Sequence, residues 1–192
     1  MSTSTFRAEL IHADTRYKTA LVLPVPPEVE DIVLQLRNEL RDLTWTRGEE
    51  LVPHLTLLFL GHPLGHELAQ LQVALGPMRS TVVQINLAGL GHFGPPQAAT
   101  NVHLNVAPNA GLRAAHQAAL DLADRFGWPR QTAYLGSRYF PHISVIDRTN
   151  LDIVQFLGRV RVPEENFELA GPYLLVAQPD ERLDPASAGS RE

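Results

Sequence analysis

Apolar positions along this chain change their period in a regular order. Thr19 to Val25 is an apolar run of strand length, and from Val29 to Leu43 the residues Ile32, Val33, Leu36, Leu40 and Leu43 recur at helical spacing. Pro26-Pro27-Glu28 opens that helix, with proline at its start and acids in its first turn. Leu51 to Leu60 is a second strand, stopped by Gly61, and Glu67 to Leu75 is a shorter helix ended by Gly76-Pro77. Ser80 to Leu90 alternates, with Val82, Gln84 and Asn86 against Val83, Ile85 and Leu87. Gly89 to Pro96 then reads as a tight turn rich in glycine and proline.

The second half repeats this order. Asn101 to Val106 alternates as a strand, Asn109 to Phe126 is an alanine-rich helix stopped by Gly127, and Arg138 to Ile146 is a strand. Leu151 to Val160 is a short helix and Phe167 to Ala177 a final strand. Each half therefore spells strand, helix, strand, helix, strand, which suggests an internal duplication. The expected fold is α+β: a bilobal, pseudo-twofold arrangement in which antiparallel sheets line a central cleft and helices cover the outside. It forms one domain over residues 1–177, with lobes of roughly 18–90 and 99–177 and strands free to exchange between them. Residues 178–192, polar and carrying Pro179, Pro185 and Gly189, read as a disordered tail.

The third element of each half carries the same short segment, Pro53-His54-Leu55-Thr56-Leu57 and Pro141-His142-Ile143-Ser144-Val145. Side chains alternate faces along a strand, so each copy sets an imidazole and a hydroxyl on one face. One copy alone reads as readily as a hydrogen-bonded structural histidine. Two copies in corresponding places, each with proline before and an aliphatic residue between, point to a site. If the two strands face each other across the cleft, His54 and His142 approach a phosphate from opposite sides. One imidazole takes a proton from an attacking water or hydroxyl while the other protonates the departing oxygen. Thr56 and Ser144 would donate to the non-bridging oxygens, where charge grows in the transition state. That chemistry calls for no metal and no cofactor.

Charge and composition narrow the partners. A net charge of −5 lacks the basic footprint of a protein that grips long duplex DNA, so a nucleic-acid substrate should be short or a terminus. Among 16 basic residues only Lys18 is a lysine. Cysteine is absent, which removes disulfides, thiolate nucleophiles and Cys-ligated zinc. Met1 to Lys18 lacks the apolar core of a signal peptide, and no apolar stretch approaches the roughly 20 residues of a membrane span. The expectation is a soluble, cytoplasmic protein with no membrane partner.

The remaining histidines read more plainly. His62 and His66 are four apart, but Pro63 and Gly65 favour a loop or helix entry over a metal site. His12, His92, His103 and His116 have no ligand-like partners in sequence and read as surface or packing residues. Gly89-Leu90-Gly91-His92-Phe93-Gly94 has the look of a phosphate loop but lacks its lysine and its helix.

Pro53-His54-Leu55-Thr56-Leu57-Leu58-Phe59-Leu60-Gly61 together with Pro141-His142-Ile143-Ser144-Val145 resembles the two-histidine (2H) phosphoesterases, specifically their 2′-5′ RNA ligase and RNA 2′,3′-cyclic phosphodiesterase branch. The likeness takes in the strand ending at Pro24, the helix after Pro26-Pro27, Trp45, and the strand leading into Gly91-His92-Phe93. It implies a bilobal fold and hydrolysis of a 2′,3′-cyclic phosphate at an RNA or nucleotide end to a 2′-phosphate, with ATP-independent 2′-5′ joining as the reverse type of reaction. By this likeness His54 is the acid on the departing 3′ oxygen and His142 the base on water. Two departures stand out: Ser144 replaces a frequent threonine, and Asp147 with Arg148 stands where an arginine is often found. Arg138 and Tyr139, just upstream, are candidates to contact phosphate or stack on a base, with a surface arginine and a packed tyrosine as the plainer alternatives. Two further readings compete: a phosphodiesterase for a small cyclic nucleotide or ADP-ribose cyclic phosphate, and a non-catalytic module that binds RNA ends or nucleotides.

Overall fold

The chain alternates strands and helices as β1 (Tyr17–Pro24), α1 (Pro27–Leu40), β2 (His54–Gly61), α2 (Gly65–Ala74), β3 (Val83–Phe93), β4 (Ala99–Val106), α3 (Ala110–Arg125), β5 (His142–Leu151), α4 (Val154–Leu157), β6 (Asn166–Leu169) and β7 (Tyr173–Pro179). This is the computed structural model of the protein, and it describes residues 11–40, 52–128, 135–157 and 159–179. Local chemistry accounts for the element ends. In α1 the stripe Val29, Val33, Leu36 and Leu40 is buried; the expected continuation to Leu43, and Trp45 beyond it, lies outside the described residues. Asn109 caps α3 by accepting the Leu112 N–H at 2.8 Å. β2 stops at Gly61, whose φ of +77° suits glycine best.

All seven strands form one curled antiparallel sheet in the order β6-β3-β4-β5-β2-β1-β7. The two motif strands are therefore side by side, joined through Leu55 against Ile143, and do not face each other across a gap as the sequence suggested. Pairing satisfies backbone groups that two facing strands would leave as open edges, and it buries Leu55 and Ile143 completely. Helices α1 and α3 pack on β5 and on β2 and β3 respectively. A single core cluster runs from Tyr17 to Leu174.

Five expectations about elements change. The glycine-rich stretch after Leu87 is strand, since β3 continues to Phe93 and the turn comes only at Gly94, φ +81°. Arg138 lies in a 3-10 turn, Gly136–Arg138, ahead of β5. β5 runs on to Leu151, which shortens the following helix to Val154–Leu157. The expected last strand is two, broken between Leu169 and Tyr173 where Pro172 can donate no backbone hydrogen bond. β6 pairs with β3 and β7 with β1, so the halves of that one stretch serve opposite edges of the sheet. β7 reaches Pro179, past the expected start of the tail, and residues 180–192 lie outside the described residues.

Candidate active site

Register builds the site. With Leu55 opposite Ile143 in an antiparallel pair, Thr56 comes opposite His142 and His54 opposite Ser144. Leu55, Leu57, Ile143 and Val145 are buried in the core, while His54, Thr56, His142 and Ser144 are the half-exposed alternates on the other face. The four residues picked from sequence thus form a four-cornered patch with the imidazoles on one diagonal. Diagonal neighbours across a strand pair are about 7–8 Å apart. Two nitrogens that each bond a different oxygen of one phosphate need a similar span, about 8 Å.

The rings are aimed alike. His54 Nδ1 lies 2.7 Å from the Val52 carbonyl and His142 Nδ1 lies 2.9 Å from the Phe140 carbonyl, in each case two residues back across the proline. A carbonyl only accepts, so in the neutral rings Nδ1 carries the hydrogen and Nε2 is left to the site face. Burial, with the charges of His142 and Arg37 adding to it, lowers the His54 pKa despite the Val52 bond. Arg37, in the last turn of α1, also donates from Nε to the Val145 carbonyl at 2.7 Å. It ties α1 to the second motif strand and sets a positive charge near the first.

Neighbouring strands extend the patch with residues the sequence did not select. On β4, His103 pairs with Ser144 and Asn105 with His142, and on β3 Gly91 pairs with His103 and Phe93 with Asn101. Opposed residues share a face, so Asn101, His103, Asn105 and Phe93 belong to the motif side. His103, read from sequence as a surface or packing residue, is buried at 1 % exposed, and its ring packs 5.0 Å from that of His142. Its Nδ1 is 2.7 Å from Asn101 Oδ1, and Asn101 Nδ2 donates to Ser144 Oγ at 3.2 Å. Burial foremost, with His142 and His92 nearby and Asn105 opposing, holds its pKa down to about 4. The alternation His103, Asn105 against buried Val102 and Leu104 was present in the sequence. Its closeness to His142 was not, because it depends on which strand lies beside β5.

The flanking candidates separate. Arg138 is exposed. Tyr139 is half-buried, stacked on His116 at 4.1 Å, and donates its hydroxyl hydrogen to the Thr56 carbonyl at 3.0 Å. His116 is itself fixed at both nitrogens, Nδ1 to the Leu57 carbonyl and Nε2 from the Gly136 N–H. A cavity of about 170 Å³ opens beside His142 and Thr56, with Phe59, Phe93, Tyr139 and Phe140 among its walls. Phe93 meets His142 edge-on at 5.3 Å. A larger hollow of about 550 Å³, between Ile11 and α2, contains none of the motif residues. His66, at its rim, bonds the Ala13 carbonyl. Among the described residues no group of three or more His, Asp or Glu side chains is placed to hold a metal ion, and no helix is long and apolar enough to cross a membrane.

Residues 23–103 match the family model described as LigT-like phosphoesterase. No curated protein gives a significant match. Among solved structures, Escherichia coli LigT complexed with 3′-AMP is similar at 17 % identity and TM-score 0.60, over 85 % of this chain and 89 % of that one. LigT of the same organism complexed with ATP is similar at 18 % identity and TM-score 0.55, with 85 % and 89 % covered. A protein of Thermus thermophilus is similar at 17 % identity and TM-score 0.58, with 84 % and 95 % covered. At these identities the structural likeness concerns the fold.

Proposed function

We propose that this chain, which carries a LigT-like phosphoesterase domain, hydrolyses 2′,3′-cyclic phosphate at the end of RNA or of a nucleotide to a 2′-phosphate, with 2′-5′ ligation as the reverse type of transfer. The observation that supports it is the patch itself, in which two Nε2 atoms on one diagonal and two hydroxyls on the other can enclose one phosphate. Water attacks phosphorus as one imidazole takes its proton, the P–O3′ bond breaks, and the other imidazole protonates O3′. Thr56 and Ser144 donate to the non-bridging oxygens. Both proton transfers are supplied by side chains, so the reaction proceeds without a metal. The aromatic cavity next to His142 offers a nucleoside a place to stack, and the exposed Arg138, next to Tyr139 in the chain, is a candidate phosphate contact. LigT structures holding 3′-AMP and ATP support nucleotides as the ligand class.

The decisive experiment is turnover of 2′,3′-cyclic mononucleotides and of a short RNA with a cyclic end, in EDTA. The parent should be active, and H54A and H142A should each lose about 10²- to 10⁴-fold. An inactive parent, or activity abolished by EDTA, overturns the reading.

One observation favours a role assignment opposite to that implied by the family likeness. Burial, His142 and Arg37 favour the neutral form of His54, the form a base needs, which leaves His142 as the acid. A phosphodiester with a p-nitrophenyl leaving group separates the two, because loss of the acid is then largely rescued and loss of the base is not. Net charge −5 favours small nucleotides over long RNA.

We also read the strand order as the mark of duplication, with lobes near 18–90 and 99–177. Outward from the β2–β5 pair, each motif strand is followed by its own half's first strand and then by a strand borrowed from the other half, β7 beside β1 and β3 beside β4.

A further inference from the structure

We infer that Asn101 and His103 are positioning residues of this site, a two-step hydrogen-bond chain from β4 that turns the hydroxyl hydrogen of Ser144 toward the phosphate. The inference rests on the function proposed above and deepens it. His103 Nδ1 stands 2.7 Å from Asn101 Oδ1, and that oxygen can only accept, so Nδ1 carries a hydrogen. With that tautomer the amide oxygen lies on the imidazole side. The amide Nδ2 is thereby directed at Ser144 Oγ, 3.2 Å away. A hydroxyl that receives a hydrogen bond at its oxygen points its own hydrogen elsewhere, and on this face a phosphate oxygen is the acceptor the reaction brings. The donated bond also polarises the hydroxyl and strengthens it as a donor.

The two motifs need this help unequally. Thr56 is β-branched, which restricts its χ1, and it is flanked on β1 by Val22, a hydrocarbon neighbour that is fully buried. Ser144 has no such branch, and its neighbour on β4 is His103. Asn101 supplies by hydrogen bonding the restriction that threonine carries in its methyl group. The surroundings are shaped to hold the chain in place. Asn101 and His103 are 5 % and 1 % exposed, and a Cβ at Gly91 would come within 2.6 Å of His103 Nε2 and 2.5 Å of Asn105 Oδ1.

The test is a double-mutant cycle on 2′,3′-cyclic mononucleotides with the parent, N101D, S144A and N101D/S144A, joined by H103A and H103N. The aspartate substitution keeps an acceptor for His103 but cannot donate to the serine. N101D and S144A should each lower kcat/KM by about tenfold or more, and the double variant should be no worse than S144A within a factor of about two. H103N, which keeps a donor near the place of Nδ1, should recover most of what H103A loses. In the parent, imidazole ¹⁵N shifts should report hydrogen on His103 Nδ1 and a bare Nε2, a readout that needs no variant to fold. Losses that multiply in the double variant, H103N no better than H103A, or hydrogen on Nε2 with Nδ1 bare would each overturn the inference while leaving the function proposed above intact. A parent inactive on every cyclic phosphate would overturn that function, and this inference with it.

Discussion

Proline at the head of each motif acts through a carbonyl. Pro53 and Pro141 hold the residue before them extended and have no N–H of their own, and the carbonyl two residues before each histidine meets that ring's Nδ1. The nitrogen left to the patch is thus selected by a backbone carbonyl on the far side of the proline. The repeated spelling of proline, histidine and hydroxyl was legible in the sequence, but this reason for the proline was not. Gly91 read in the sequence as part of a tight turn after a strand. Its value is that it has no side chain: with its φ in the ordinary range, the missing Cβ leaves room for His103 and Asn105 from the next strand. G91A should therefore destabilise the protein by about 1–3 kcal/mol in urea unfolding and lower kcat more than KM. An unchanged midpoint and unchanged kcat would show that the neighbours yield freely.

At the level of elements, the join between β2 and β5 is narrow, with Leu55 and Ile143 as its paired residues. Past it, the Val145 carbonyl is met by Arg37 from α1. The helix thereby holds β5 just beyond its paired residue with β2. R37M, which keeps length and removes the fork, should cost about 1.5–3 kcal/mol, the range for a hydrogen bond from a charged donor. The same change should raise the His54 pKa, because the arginine charge is one of the causes that lower it. A histidine NMR titration reads the direction, and an unmoved or lowered His54 would contradict the assignment. Apolar period found the strand and helix cores in order, with ends displaced by a few residues. It could not find the Leu169 to Tyr173 break or the run of β3 through its glycines. Both depend on partners: β6 and β7 separate because β3 and β1 lie at different places in the sheet.

Over the whole molecule, acid should weaken the fold in a defined window. His103 titrates at about 4 when folded and near 6.5 when unfolded. Between those values the unfolded chain holds a proton that the folded chain refuses. This part of the stability is therefore full above pH 6.5, falls as the pH drops toward about 4, and levels off below. Urea midpoints across that range should show the slope in the parent and a shallower one in H103N; equal slopes would assign the acid sensitivity elsewhere. The neighbour that makes His103 matter, β4 beside β5, is a property of the complete sheet, which is why no local pattern announced it. That sheet has a consequence in time as well as in space. Val22 pairs with Tyr173, about 150 residues along the chain, so the strand flanking the first motif gains its outer partner only through a very long loop. On a ribosome the first motif would emerge well before β7 and wait with an uncovered edge. Folding should accordingly be slow, with the sheet around the first motif completed late.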